Sequence, residues 1–307
     1  MKTVNNILEL IGDTPIVKLE NLTSDNDAEV YVKVESFNPT RSIKARTALN
    51  MIETAEKKKQ INSKTKIIEP TSGNTGIGIA MIAAAKGYNA LLIMPETVSI
   101  ERIKQMKAYG AEIILTDGDT GMQGAIKKAK DLVEEIDNSL MLDQFNNPAN
   151  PDIHRKTTAK EIKKVFGDNL DILVSTAGTG GTVSGTGEEL KKYNPELEIY
   201  IVESENSPVI SGGNSGNHQI PGTGPGFIPQ NLNTDIYNRI YRINDEDALE
   251  TARLLASQEG LLVGPSSGAS VHTALQAAKE KDSSQKILAI APDTGERYLS
   301  TKLFEVG

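Results

Sequence analysis

The chain has 307 residues, a formal net charge of −8, three histidines and no cysteine. That length supports a large buried core and two lobes, and the acidic balance argues against a nucleic-acid groove or an anionic membrane surface as partner. Without cysteine there is no disulfide framework and no thiolate nucleophile, and none of His154, His218 and His272 sits in the H-E-x-x-H pattern that binds catalytic zinc.

The first ten residues carry Asn5, Asn6 and Glu9 where a secretory leader would be apolar, and no apolar run approaches the roughly 18 residues of a membrane span. A cytoplasmic address is therefore expected. Ile16 to Leu19 and Val30 to Val34 read as strands joined by the polar turn Thr23-Ser24-Asp25-Asn26-Asp27. In Asn38-Pro39-Thr40-Arg41-Ser42-Ile43-Lys44, Asn-Pro marks a turn, Ser42 is a candidate cap, and Ala45 to Lys58 reads as the helix. Lys44 then falls in the first turn, beside the positive end of the helix dipole, where a cation is disfavoured. A lysine so placed is either solvated and inert or used as a neutral amine.

Lys66 to Pro70 opens with a β-branched run that reads as a buried strand, and Ile77 to Lys86 reads as a helix stopped at Gly87. Between them lies Thr71-Ser72-Gly73-Asn74-Thr75-Gly76, small and polar throughout. This places unpaired amides at a helix N-terminus, which suits a carboxylate or phosphate. An N-capped turn with no ligand is the other reading. The alternation continues with a strand at 90–94, a helix at 100–109, a strand at 112–115, a helix at 122–136 and a strand at 140–142. Composition shifts at Asn146-Asn147-Pro148-Ala149-Asn150-Pro151, a candidate lobe boundary. A helix at 154–166, a strand at 171–174, a helix at 182–193 and a strand at 198–202 follow. Residues 204–233 are rich in Gly, Pro, Ser and Asn, and a loop that long is usually functional. A strand at 240–243, a helix at 246–259, a strand at 261–263, a helix at 268–279 and a strand at 287–290 close the pattern. This βαβα rhythm predicts α/β architecture with parallel sheets flanked by helices.

Two further loops carry candidate chemistry. Ala177-Gly178-Thr179-Gly180-Gly181-Thr182 follows a strand and opens a helix, so its amides and hydroxyls can form a compact phosphate cup. It is neither the dinucleotide fingerprint, since Val183 replaces the third glycine, nor a Walker loop. Gly264-Pro265-Ser266-Ser267-Gly268 matches G-x-S-x-G, the elbow of a serine hydrolase with Ser266 as nucleophile. The only histidine after it is His272, too near in the chain for the usual order of that triad.

Several segments in this order resemble the tryptophan synthase β family of pyridoxal-phosphate (PLP) enzymes, and within it the cysteine synthases (O-acetylserine sulfhydrylases). They are Ile11-Gly12-Asp13-Thr14-Pro15, the Asn38 to Lys44 motif, Pro70 to Gly76, Gln144 to Pro151, Gly178 to Thr182, Gly226-Phe227-Ile228-Pro229 and Arg297 to Thr301. The resemblance implies fold type II: two lobes, each a mostly parallel twisted sheet flanked by helices, with PLP in the cleft. It divides the chain into a lobe at 1–149 and a lobe at 150–307, with strands within 14–35 able to join the second sheet. It implies Lys44 as the Schiff-base lysine and proton carrier. It assigns the cofactor phosphate to Gly178, Thr179, Gly180, Gly181 and Thr182, the ring oxygen to Asn74 and the pyridine nitrogen to Ser266. Thr71, Ser72, Asn74, Thr75 and Gln144 would bind the substrate carboxylate, and no metal is expected.

The implied reaction is β-replacement, O-acetyl-L-serine and hydrogen sulfide giving L-cysteine and acetate. A cystathionine β-synthase with homocysteine as acceptor is the near alternative. Implied partners are a second copy, as a homodimer, and the C-terminal tail of serine acetyltransferase. The chain departs from the family where Arg41 replaces a usual glycine and Ala45 a usual aspartate. Arg41 is then either solvated or adds positive potential that gathers anions.

Overall fold

The computed structural model describes residues 3–71 and 73–305. The strands and helices alternate as the apolar pattern predicts. They run β1 (Ile16–Lys18), β2 (Glu29–Val34), α1 (Lys44–Lys57), β3 (Lys66–Pro70), α2 (Asn74–Lys86), β4 (Asn89–Pro95), α3 (Ile100–Ala108), β5 (Glu112–Thr116), α4 (Gly121–Glu135) and β6 (Ser139–Met141). Next come α5 (Ala149–Ile153), a π-turn at His154–Thr158, α6 (Ala159–Phe166), β7 (Ile172–Thr176), α7 (Gly181–Lys191), β8 (Glu198–Ser204), β9 (Arg239–Ile243), α8 (Asp245–Glu259), α9 (Pro265–Lys279) and β10 (Lys286–Ala291).

Two sheets result. One has four strands in the order β5-β4-β3-β6, all parallel. The other has six in the order β1-β2-β10-β7-β8-β9, parallel except for the β1–β2 hairpin pair. Buried runs such as Ile172–Thr176 show why: a parallel strand covered on both faces needs apolar residues throughout rather than alternation. In the four-stranded sheet, α1 and α2 cover one face through Met51, Ile52, Ile79 and Ile82, and α4 covers the other through Ala125, Ala129 and Leu132. In the six-stranded sheet, α8 and α9 pack one face through Leu255, Val271 and Ala274, and α6 and α7 pack the other through Ile162, Phe166 and Val183. The fold is α/β with two mostly parallel sheets. The first two strands belong to the sheet otherwise built from the second half of the chain.

Three local expectations are corrected. The strand expected at 261–263 is a single bridge from Val263 to Thr294, because the left-handed cap at Gly260 and Pro265 leave no room for a ladder. The helix expected from His154 begins at Ala149, with Pro151 in its first turn, where its missing N–H costs nothing. The helix expected from Ile77 starts at Asn74, so the polar loop itself forms its first turn.

Candidate active site

The C-terminal ends of β3 and β7 each run into a glycine-rich turn and then a helix, so two helix N-termini open on one cavity of about 270 Å³. This is where parallel α/β sheets place ligands, because the loops there are free of packing duty.

At the first terminus, Thr71 Oγ1 accepts from the Gly73 and Gly76 amides, each at 3.2 Å. The Asn74 and Thr75 amides have no partner among the described residues and remain available to an anion. Thr75 Oγ1 donates to Gln144 Oε1 at 2.6 Å, and Gln144 Nε2 donates to the Pro70 carbonyl at 3.1 Å. Thr71, Asn74, Thr75 and Gln144 thus meet at one end of the cavity. Ser72, expected beside them, lies outside the described residues.

At the second terminus, Gly178, Thr179, Gly180 and Thr182 line the cavity and Gly181 begins α7. The glycines are steric requirements. A Cβ at Gly178 would stand 2.1 Å from the Gly222 carbonyl oxygen, and one at Gly181 would stand 2.1 Å from Asn150 Oδ1. Gly180 adopts φ +77° and lies against Leu232. Asn150 Nδ2 donates to Thr179 Oγ1 at 2.9 Å, and His154 Nε2 lies 3.3 Å from Thr182 Oγ1. Burial, with the nearby Arg46 and Lys44 cations, holds His154 well below the usual imidazole range, so a neutral ring supports this loop.

Lys44 lines the same cavity at the first position of α1. Ser42 Oγ accepts its backbone N–H at 3.3 Å, although the formal cap is Ile43. The close approach of α2 behind it needs Gly78, where a Cβ would sit 3.1 Å from the Lys44 carbonyl. Burial pushes the Lys44 amine down to about 8, against the opposing pull of Asp293 and Glu35. Ser266 also lines the cavity, at the start of α9. His272 turns instead to α8, with Nδ1 3.1 Å from Thr251 Oγ1. That arrangement provides no Ser–His pair for hydrolysis and removes the reading of Ser266 as a nucleophile.

Three residues here, Asp293, Glu69 and Arg102, escaped the sequence reading, and a fourth, Arg297, was named there only within a segment and given no role. Asp293, 1% exposed, accepts from Asn74 Nδ2 and from the Tyr298 hydroxyl, both at 2.8 Å. Its Oδ1 has no partner among the described residues. Arg297 donates to Asn74 Oδ1 and to the Thr40 carbonyl, so both ends of the Asn74 amide are fixed by the C-terminal segment. Glu69, fully buried on β3, accepts the Asp143 amide at 2.8 Å and the Gln144 amide at 3.0 Å. Burial raises its carboxyl to about 8 despite those two donors. Arg102, on α3, lines the cavity beside Gly73. Asp293 and Arg102 stand in ordinary runs of residues, Arg297 opens a segment that carried the family resemblance, and Glu69 is marked only by its hydrophilic character inside an otherwise apolar strand.

The donor set fits a ligand with a phosphate and an amine-reactive group. The α7 cup offers amides and two threonine hydroxyls in a cradle that any Cβ would fill, and a buried, partly neutral lysine faces the same space. Fold and site together define a PLP enzyme of the two-lobed α/β kind. Residues 7–293 match the family described as "Pyridoxal-phosphate dependent enzyme", and the chain belongs to that family and uses pyridoxal phosphate. It is 52% identical over 307 residues to a probable cysteine synthase of Bacillus subtilis, covering 99% of both chains. It is 51% identical to a cysteine synthase of Staphylococcus aureus, covering 99% of this chain and 98% of the other. A hydrogen sulfide-producing enzyme from Fusobacterium nucleatum superposes with a TM-score of 0.94 at 44% identity, covering 97% of this chain and all of that one.

Proposed function

We propose that the protein is a cysteine synthase, which replaces the acetate of O-acetyl-L-serine with sulfide to give L-cysteine. The observation that carries this is the meeting of Lys44 with two separate helix N-termini, each able to take an anion, in one cavity. The full-length likeness to cysteine synthases supports it. When bound, pyridoxal phosphate supplies the electron-withdrawing ring that makes the substrate Cα–H acidic and its β-substituent labile.

The chain's own residues do the rest. Gly178 to Thr182 would hold the cofactor phosphate, Asn74 the ring oxygen and Ser266 the pyridine nitrogen. Thr71, Ser72, Asn74, Thr75 and Gln144 hold the substrate carboxylate, which fixes the Cα–H bond relative to Lys44. The Lys44 amine takes the Cα proton as the Cβ–O bond breaks and acetate leaves with the electron pair. It returns that proton to Cα after sulfur has bonded to Cβ. Its lowered proton affinity suits both steps. The lobes of this reading are 1–149 and 150–307, with the β1–β2 pair lent to the second sheet.

The test is a single assay offering O-acetyl-L-serine with sulfide and homocysteine together. Cysteine should dominate, and Lys44→Ala should abolish turnover by at least a thousandfold, about 4 kcal/mol of barrier. Preferential cystathionine formation would move the assignment to cystathionine β-synthase. The reading extends to a cytoplasmic homodimer whose carboxylate cup also accepts the C-terminal tail of serine acetyltransferase, as the family resemblance implies. Among the described residues no helix is long and apolar enough to cross a membrane. Light scattering and competition by a tail peptide test the two partners.

A further inference from the structure

Among the described residues that line the cavity, Arg102 is the one charged side chain for which the reaction above has no use. It lies on the first turn of α3 and is only 9% exposed. Among the described residues its Nε is buried without a hydrogen-bond partner, and no carboxylate lies within salt-bridge distance of it. A buried guanidinium left so is costly unless something anionic visits it. Its position says where that visitor sits. A Cβ at Gly73 would stand 3.0 Å from Arg102 Nε and 3.4 Å from Cζ, so the guanidinium lies directly on the loop that opens α2. On its other side Cζ lies 5.0 Å from the centre of the Tyr298 ring, and Tyr298 is fixed by its bond to Asp293. A ring at that distance can steer a planar cation through its face while the N–H edge stays directed elsewhere.

Resting on the function proposed above, we infer that Arg102 binds the α-carboxylate of the amino-acid substrate. It supplies the full positive charge that the amides of Asn74 and Thr75 and the hydroxyl of Thr71 lack. The helix terminus alone offers only partial charge, whereas a desolvated guanidinium makes strong charge-assisted bonds to carboxylate. Gly73 is then glycine so that this cation can close on the loop.

The experiment titrates the holoenzyme with L-serine and with L-serinamide, following the cofactor absorbance at equilibrium, in wild type, Arg102→Gln and Arg102→Lys. L-serine should bind about tenfold more weakly to R102Q and regain most of that loss in R102K. L-serinamide should bind all three proteins within twofold, because it has no carboxylate for Arg102 to meet. The KM for O-acetyl-L-serine should rise in parallel, with the KM for sulfide unchanged. Equal losses for acid and amide would overturn the inference and reduce Arg102 to a prop for the loop. A defect confined to the KM for sulfide would overturn it in favour of an acceptor-anion site. A wild type that binds serine and an R102Q variant indistinguishable from it would overturn it alone. A wild type that ignores both ligands would overturn the proposed function with it.

Discussion

At Lys44 burial and charge pull in opposite directions. Burial disfavours the ammonium form, and Asp293 and Glu35 restore part of its proton affinity, leaving the amine near 8. Only the neutral amine can attack an aldehyde. Capture of pyridoxal phosphate by apoprotein should therefore accelerate as pH rises and level off above about 8. Asp293→Asn removes the larger favourable charge and should move that midpoint to lower pH, read as stopped-flow absorbance against pH. An unmoved midpoint would mean that burial alone sets the value. Arg41 shows a different residue-scale effect. It is exposed and sits at φ +56°, the left-handed region where a glycine is at ease, and it is not among the residues lining the cavity. Arg41→Gly should relieve strain and raise stability by about 0.5–1 kcal/mol. It should leave the salt dependence of O-acetylserine capture unchanged, whereas a flattened dependence would mark Arg41 as an anion collector. Ala45 is fully buried, so an aspartate in its place would be desolvated and would need a buried hydrogen-bond or charge partner.

The element scale decides what was legible beforehand. Strand–loop–helix units announce themselves because apolar runs, glycine stops and polar turns are all local signals. The two polar loops at helix N-termini and the place of Lys44 in the first turn of α1 were readable for that reason. Residues that act through distant contacts were not. Asp293 meets Asn74 across 219 positions of sequence, and Glu69 reaches Gln144 across 75. Arg102 looks like any other charge on an amphipathic helix until Gly73 and Tyr298 are seen against it. The start of α5 hid behind Pro151, and the short run 261–263 had strand composition but no room to pair. The glycine-rich loop that opens α7 shows how tightly such an element is fitted. Its Gly178 touches the 220–225 segment so closely that a methyl group would overlap the Gly222 carbonyl. Gly178→Ala must push the loop or that segment aside. It should weaken retention of pyridoxal phosphate at least tenfold on dialysis, with little change in melting of the apoprotein. Equal retention would show that the loop has slack that these distances deny.

At the scale of the whole molecule, the β1–β2 pair and a buried ionic cluster tie the two sheets together. Arg46 of α1 donates to Glu35 from Nε at 2.8 Å and from Nη2 at 2.9 Å, and to Glu161 of α6 from Nη1 at 2.5 Å and Nη2 at 2.7 Å. Lys33 of β2 adds a contact of 2.8 Å to Glu161 and donates to the Thr14 carbonyl at 3.0 Å. Two cations thus face two carboxylates, and Thr14 and Asn38 fill remaining acceptor sites on Glu35. Such a cluster need not stabilise the fold more than apolar packing would, but removing one member strands the others in low dielectric. It joins α1, which carries Lys44, to β2 and α6, so its geometry and the placement of the lysine are linked. Arg46→Met should cost about 3–5 kcal/mol in denaturant unfolding. Arg46→Lys should cost less, losing the paired geometry but keeping the charge. The acid limb carries the sign. Burial works against the Glu161 carboxylate, but bonds and charge from Arg46 and Lys33 outweigh it and hold its carboxyl down to about 2, below the ordinary 4.5. A depressed carboxyl contributes its stability above the ordinary value and loses it as pH falls toward the depressed one. The gap between wild type and R46M should therefore be full near neutrality and shrink between pH 4.5 and about 2. A gap that stays constant through that window would mean that Arg46 acts by packing alone, and that the charges of the cluster do not hold the lobes together.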